Sequence, residues 1–307
     1  MKILSIFDLK KKEVNRKKMF IIHNPVAWRN KFVIRGEKFI KNFLNKHNIE
    51  YDYRKTTESG EATLLAKEGV ERGYKLIVAI GGDGTINEVV NGIINSDAIL
   101  GIVPMGTINI LSMELGIPQN LSKALQTLLT GKIKSIDVGK VNDRYFLLMA
   151  GFGMDSYTIY RTNLKLKKYI GGLAYVISGL YTTFKYKPHK IFVDIDDGRI
   201  IDDGYFLVVE NFSSYGGKFK IAPYADENDG LLDICLFKKF GFFHTLRYFL
   251  GIALKRHINY PDVRYYQGKK IKLHSNSNVL FHTDGDLAGS LPAEITILPK
   301  KLKIIAP

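Results

Sequence analysis

The sequence predicts two lobes, an α/β lobe on a parallel sheet followed by a largely antiparallel β lobe. Three observations carry this. Apolar runs alternate with helix-period stretches from Met19 to Val103; near Asp137 the pattern changes to short runs separated by turn residues; and 307 residues suit two domains of ordinary size.

In the first half, Met19–His23 reads as a strand and Lys31–His47 as a helix, with Phe32, Phe39, Ile40, Phe43 and Leu44 at helical spacing. Ile49–Lys55 reads as a strand, Glu58–Arg72 as a helix and Lys75–Ile80 as an Ile/Val-rich strand. Gly84–Ile94 then reads as a helix and Ala98–Val103 as a strand. Strand and helix in alternation imply parallel strands covered on both faces. In the second half, Lys190–Ile195, Asp197-Gly198 and Ile200–Val209 form a hairpin signal. Leu231–Phe237, Lys270–His274 and Asn278–His282 are further strands, and Asp155–Phe184 and Phe242–Lys255 are helical.

Hydrophobic residues make up 46% of the chain, enough for packed cores, which excludes wholesale disorder. Cys235 is the single cysteine, so no internal disulfide forms and no thiolate metal cluster is available. The most apolar stretch, Ile170–Leu180, is about half the length a bilayer requires. The N-terminus places charges after a short apolar start, the wrong order for a secretory signal. These features predict a soluble, cytoplasmic protein. A net charge of +15 fits general solubility, an anionic membrane or nucleic acid; nucleic acid is disfavoured because no recognition motif accompanies the charge. Its clusters are Lys10–Lys18, Arg161–Lys168, Lys185–Lys190 and Lys300–Lys303.

The sharpest feature is Gly81-Gly82-Asp83-Gly84-Thr85-Ile86-Asn87-Glu88, between a strand and a helix. Glycines let the backbone turn tightly and approach a ligand, and the amides at a helix start favour an anion. A second loop, Pro104-Met105-Gly106-Thr107-Ile108-Asn109, also follows a strand, so both face one crevice at the carboxyl ends of the sheet. Neither is a Walker A loop or a dinucleotide fingerprint. Thr85, Asn87 and Thr107 are candidate donors to phosphate or ribose; Asp83 either caps the helix or holds Mg²⁺, and the Mg²⁺ role is favoured. Asp284-Gly285-Asp286 supplies two carboxylates on a tight turn, suited to orienting an attacking hydroxyl.

These segments resemble the diacylglycerol kinase catalytic domain family, which includes bacterial lipid kinases and sphingosine kinases and is distantly related to NAD kinases and phosphofructokinases. The resemblance rests on Gly81–Gly92 and Pro104–Pro118, with His23-Asn24-Pro25, Ala150–Asp155, Asn211 with Gly216-Gly217, Pro223–Ala225, Asp229–Asp233 and Asp284-Gly285-Asp286 in order. It implies an NAD kinase-like nucleotide lobe over residues 1–137, a β-sandwich lobe over 138–293 carrying substrate and catalytic residues, and a return of 294–307 to the first lobe. It implies ATP and Mg²⁺ as cofactors, with Asn24, Thr56, Gly81, Gly82, Asp83, Gly84, Thr85, Asn87, Glu88, Gly106, Thr107 and Asn109 around the nucleotide. It also implies Asp286 as proton acceptor, in the place of the family's Glu, with Asp284 able to share that work. Asp226, Asp229 and the Leu231 carbonyl fall where the family holds a structural Mg²⁺, a hard-oxygen set.

Two departures place bulk near the expected cleft, Trp28 and Phe212 where the family often has Gly. The implied activity is transfer of the ATP γ-phosphate to a membrane lipid hydroxyl, with diacylglycerol foremost. The implied location is the inner membrane face, through peripheral association. The segment Leu164–Phe184, mixing Lys with apolar residues, reads either as an interfacial helix or as a core helix with a basic end. A homodimer is compatible with the sequence. An NAD kinase or other soluble-substrate kinase, and a catalytically silent nucleotide- or lipid-binding protein, are the competing readings.

Overall fold

The computed structural model describes residues 16, 18–27, 33–154, 156–157, 186–216 and 219–307. Strands β1 (Lys18–His23), β2 (Glu50–Lys55), β3 (Leu76–Gly81) and β4 (Ile99–Pro104) pair in parallel in the order β2-β1-β3-β4. Every position of β3 and β4 is buried, because both faces are covered, whereas the edge strand β2 is half-exposed. Helices α1 (Val33–Lys46) and α5 (Leu121–Thr130) cover one face, packing Ile40, Leu44 and Leu125 on Met19, Ile21 and Val78. Helices α2 (Glu61–Glu71), α3 (Asp83–Ile93) and α4 (Ile110–Glu114) cover the other through Ala66, Ile86, Val90 and Leu111.

The second half forms β5 (Lys132–Val141), β6 (Arg144–Phe146), β7 (Met149–Gly153), β8 (Ile191–Ile195), β9 (Ile200–Gly204), β10 (Phe206–Glu210) and β11 (Leu232–Phe237). Helix α6 (Phe242–Ala253) follows, then β12 (Val263–Gly268), β13 (Lys270–His274), β14 (Leu280–Thr283), β15 (Asp286–Ser290) and β16 (Ala293–Ala306). A six-stranded antiparallel sheet, β12-β11-β10-β7-β14-β15, stacks on a layer formed by β16, β13, β8 and β9. Phe152, Leu207, Val209, Ile234, Ile271 and Ile295 fill the space between. That second layer is continuous with the parallel sheet, because β16 pairs with β13 at one end and with β4, through Lys303 and Ile304, at the other.

One strand divides where the sequence reads as continuous. The run Ile200–Val209 breaks at Tyr205 into β9, in the first sheet, and β10, in the second. The reason is Gly204: a Cβ there would lie 2.5 Å from Leu236 Cδ1 and 2.8 Å from the Phe237 carbonyl, so only glycine fits where the chain changes layers. The predicted turn is present, with Asp196, Asp197 and Gly198 all at positive φ. The predicted helix Asp155–Phe184, including the Leu164–Phe184 segment, lies outside the described residues apart from 156 and 157.

Burial sets one pH dependence. His23, at the end of β1, is fully buried with Nδ1 2.7 Å from the Tyr53 hydroxyl. Burial pushes its imidazole down to about 4; Glu37 opposes the shift and Lys55 adds to it. The unfolded chain takes a proton near the ordinary histidine value while the folded chain resists it. Stability is therefore intact above that value and falls as pH drops toward about 4, by up to ~3 kcal/mol from this group. Urea unfolding near pH 7 and near pH 5 should show that loss, and His23→Gln should flatten the slope between the two. An unchanged slope would remove His23 from the account.

Candidate active site

All four parallel strands end at one edge, and the candidate loops gather there. Three backbone bonds carry the ladder past the strand ends: Asn24 N–H to the Ile80 carbonyl at 2.9 Å, Thr56 N–H to His23 at 2.9 Å, and Met105 N–H to Gly81 at 2.8 Å.

The two Gly-containing loops pack backbone on backbone. A Cβ on Gly106 would sit 2.6 Å from Gly82 Cα and 2.6 Å from Asn109 Oδ1. The Asp83 carboxylate bridges the loops, accepting from the N–H groups of Ile110 at 2.9 Å and Leu111 at 3.1 Å. It thus caps α4 rather than the helix it begins. Asn109, at φ 59°, closes its own loop by accepting from Gly106 N–H at 2.7 Å, and its amide donates to Gln119 Oε1 at 2.9 Å. Beneath, Asn24 Nδ2 donates to the buried Thr85 hydroxyl at 3.0 Å. The N-cap of α3 is Gly82, which has no side chain to cap the helix, and Gly82 and Gly84 line the cleft at the start of α3. Gly106→Ala should therefore cost ~2–3 kcal/mol and weaken nucleotide binding together, because it separates the loops that shape the site. Calorimetric unfolding and nucleotide titration of this variant check both, and unchanged stability would contradict the packing.

The facing wall of this cleft, about 240 Å³ in volume, is made by Leu148, Met149, Tyr215, Gly216, His282 and the Asp284-Gly285-Asp286 turn. Asp284 accepts four hydrogen bonds: Leu147 N–H at 2.8 Å, Leu148 N–H at 2.8 Å, Met149 N–H at 3.0 Å and Asn87 Nδ2 at 2.7 Å. Burial pushes its carboxyl up, and these donors oppose the shift. Asp286 is exposed, lies beside Gly84 in the cleft lining, and has Arg144 Nη2 3.7 Å from its Oδ2. A Cβ on Gly84 would be 3.7 Å from that same oxygen, so the carboxylate faces the phosphate loop directly. A carboxylate set beside a helix N-terminus in a cleft can orient a hydroxyl toward a polyphosphate bound there.

Comparison with known proteins shows the family. Residues 18–141 match the family described as "Diacylglycerol kinase catalytic domain", and residues 149–306 match the "YegS C-terminal NAD kinase beta sandwich-like domain". A diacylglycerol kinase of Bacillus subtilis (strain 168) is 32% identical over 95% of this chain and 97% of its own length. The chain belongs to the diacylglycerol kinase catalytic domain family. A diacylglycerol kinase of Staphylococcus epidermidis is 31% identical over 95% of this chain and 93% of its own. A crystal structure of a diacylglycerol kinase from Bacillus anthracis str. Sterne superimposes with a TM-score of 0.79 at 26% identity, over 95% of this chain and 97% of that one. The chain is thus a kinase, a phosphotransferase of a lipid-kinase family.

Within this kinase, the cleft brings together Gly82, Asp83, Gly84, Thr107, Asn109, Asp284 and Asp286 from the sequence-predicted set. Gly81, Gly106, Thr85, Asn24 and Thr56 lie at the same strand ends and support the loops from behind. Asn87 turns away to the junction of the lobes, where its amide donates to Asp284 and, at 3.1 Å, to the Tyr145 carbonyl. Glu88 differs from expectation. Its carboxylate accepts from Gly60 N–H at 2.9 Å and Ala62 N–H at 3.2 Å, capping α2 in a second depression that Arg144 and Asp286 also line. Phe212 does not crowd the cleft either; it is buried in the core, and Trp28 and Gly217 lie outside the described residues.

The predicted metal loop precedes β11. Asp226 accepts from Asn228 N–H at 2.9 Å and Asp229 from Leu231 N–H at 2.9 Å. The buried Asp137 fastens the loop, accepting from Gly230 N–H at 2.7 Å and Lys300 N–H at 2.6 Å. Burial raises the Asp229 carboxyl, and the like charges of Asp226 and Asp137 raise it further. Two carboxylates in mutual repulsion are oxygen donors of the kind a hard cation takes. No preformed cluster of three acidic, His or Cys side chains around one point occurs among the described residues.

Sequence reasoning did not identify Arg144, Asn91, Tyr215, His282 or Gln119. Asn91 stands one helical turn after Asn87 and exchanges hydrogen bonds with both backbone groups of Tyr145, at 3.1 and 3.0 Å. That spacing was its available signal. The others reach the site through tertiary contacts alone.

Proposed function

We propose that the enzyme transfers the γ-phosphate of ATP to the free hydroxyl of diacylglycerol, giving phosphatidic acid, while associated peripherally with the inner face of the membrane. The observation carrying this is the exposed Asp286 carboxylate facing Gly84 at the start of α3. The α3 amides and Thr107 hold the phosphates. Asp286 takes the proton from the lipid hydroxyl as its oxygen bonds to the γ-phosphorus, the bond to the β-phosphate oxygen breaks, and ADP leaves. Arg144, with Nη2 3.7 Å from Oδ2, aims the Asp286 carboxylate. Asp284 acts as a brace, since four donors already occupy it, and sets the turn that presents Asp286. Mg²⁺ bound with the nucleotide would supply charge neutralisation, with Asp83 as the acid on the phosphate side. Asp226, Asp229 and the Leu231 carbonyl would hold a second, structural ion.

The relatives' name, diacylglycerol kinase, supports this choice of acceptor. Incubation with γ-labelled ATP, Mg²⁺ and a panel of diacylglycerol, a sphingoid base and NAD tests it. Labelled phosphatidic acid is expected; label confined to NAD or to the sphingoid base would overturn the choice, and folded protein labelling nothing would favour a silent binding protein.

A further inference from the structure

Helix α6 packs one face onto the outer side of the six-stranded sheet. Tyr248 lies against Phe237, with ring centroids 4.9 Å apart, and its hydroxyl donates to Asp262 at 2.7 Å. Arg247 pairs with the same carboxylate and stacks over Tyr260. The helix is therefore anchored from within. Its opposite face carries large apolar side chains in the open: Phe243 is 82% exposed, Leu250 55% and Leu254 64%. Their spacing, seven residues and then four, puts them in one line along the helix.

Charge identifies what this line meets. Between Ile234 and Pro261 there are five Lys or Arg residues and no Asp or Glu. Lys239 before the helix and Lys255 and Arg256 after it are all exposed, so cations flank the apolar line at both ends. A partner protein seated here would need an acidic rim around an apolar groove. An anionic bilayer presents both chemistries over an unlimited area and needs no matching shape. An apolar line flanked by cations is how a helix lies in a lipid interface.

We propose that α6 is the membrane-docking element of this enzyme. It lies flat on an anionic bilayer, Phe243, Leu250 and Leu254 enter the acyl boundary, and Lys239, Lys255 and Arg256 sit among the headgroups. The purpose of docking rests on the membrane-lipid reading above, but the binding itself does not. None of these six residues lines the cleft.

Co-sedimentation of the full chain without nucleotide tests the proposal, using vesicles of phosphatidylcholine alone and of phosphatidylcholine with phosphatidylglycerol. The unaltered chain should bind the anionic vesicles and lose binding as salt rises. The triple variant Phe243→Ser, Leu250→Ser, Leu254→Ser should bind them ~30- to 100-fold more weakly. Lys239→Glu, Lys255→Glu, Arg256→Glu should abolish the preference for anionic over neutral vesicles. Circular dichroism and turnover of a water-dispersed, short-chain diacylglycerol should match the unaltered chain in both variants. Undiminished vesicle binding by the serine variant would overturn the proposal. So would equilibrium sedimentation showing a dimer that the serine substitutions disperse while vesicle binding stays unchanged, since the face would then belong to a second copy of the chain. Because binding is read without transfer, failure to phosphorylate any lipid would sink the proposed function and leave this result standing.

Discussion

Replacing Asp286 with Asn should lower kcat by ~10³-fold and leave ATP affinity within about threefold. The substitution preserves shape and removes the carboxylate's charge and basicity. Asp286 sits on an exposed turn, its side chain 56% accessible, with Arg144 at 3.7 Å as its ion-pair partner, so the fold does not depend on its charge. The hydrogen bonds that join the two Gly-containing loops run through Asp83 and Asn109, not Asp286, so the substitution leaves the shape of the loops intact. Asp286→Glu should retain much of the activity, because the longer arm still reaches the cleft beside Gly84. Arg144→Gln should lower kcat more modestly, by about tenfold, by loosening the carboxylate. Isothermal titration with a non-hydrolysable ATP analogue, alongside initial rates, separates the two parameters. Equal losses in affinity and kcat would refute the role of base.

Replacing Asp284 with Asn should be the more damaging change to the fold, at ~3–5 kcal/mol. Asn tolerates the positive φ of 49° at this position, so the backbone is not the issue. The four donors are. Three successive backbone amides of the β6–β7 connection and the Asn87 side chain converge on one carboxylate, and an amide group in its place sets an N–H against at least one of them. Because Asn87 belongs to α3 and the three amides to the second lobe, the same change loosens the contact between lobes and moves Asp286. Urea unfolding should show the lost stability, with turnover falling as well. A variant as stable as the parent would mean that Asp284 is not the brace described.

Both effects concern residues the sequence identified, yet their division of labour was not legible there. Asp284 and Asn87 are separated by 197 positions and touch only once the lobes assemble. Asp83 likewise finds its acceptor role 27 and 28 residues away, on α4, where a sequence offers only its own helix as a capping target. Glu88 sits in the phosphate-loop run and so reads as part of it, but one face of α3 meets α2 and its carboxylate follows that face.

Local pattern was sufficient where burial is symmetric or a turn is tight. The runs around β3 and β4 are apolar throughout because both sides are covered, and β13 has the predicted bounds because both its neighbours pair along its length. The pattern gave no break at Gly204, where the run Ile200–Val209 reads as one strand although the chain changes sheets. It also gave no sign of β7. Its sequence, Met-Ala-Gly-Phe-Gly, resembles a loop but is buried at every position between β10 and β14.

The most direct test is the initial rate of transfer from γ-labelled ATP to diacylglycerol in anionic vesicles, measured for the unaltered chain and for Asp286→Asn under one condition. Labelled phosphatidic acid should form with the first and fall by ~10³-fold with the second. Equal rates from the two proteins, or transfer to NAD but not to the lipid, would contradict the account.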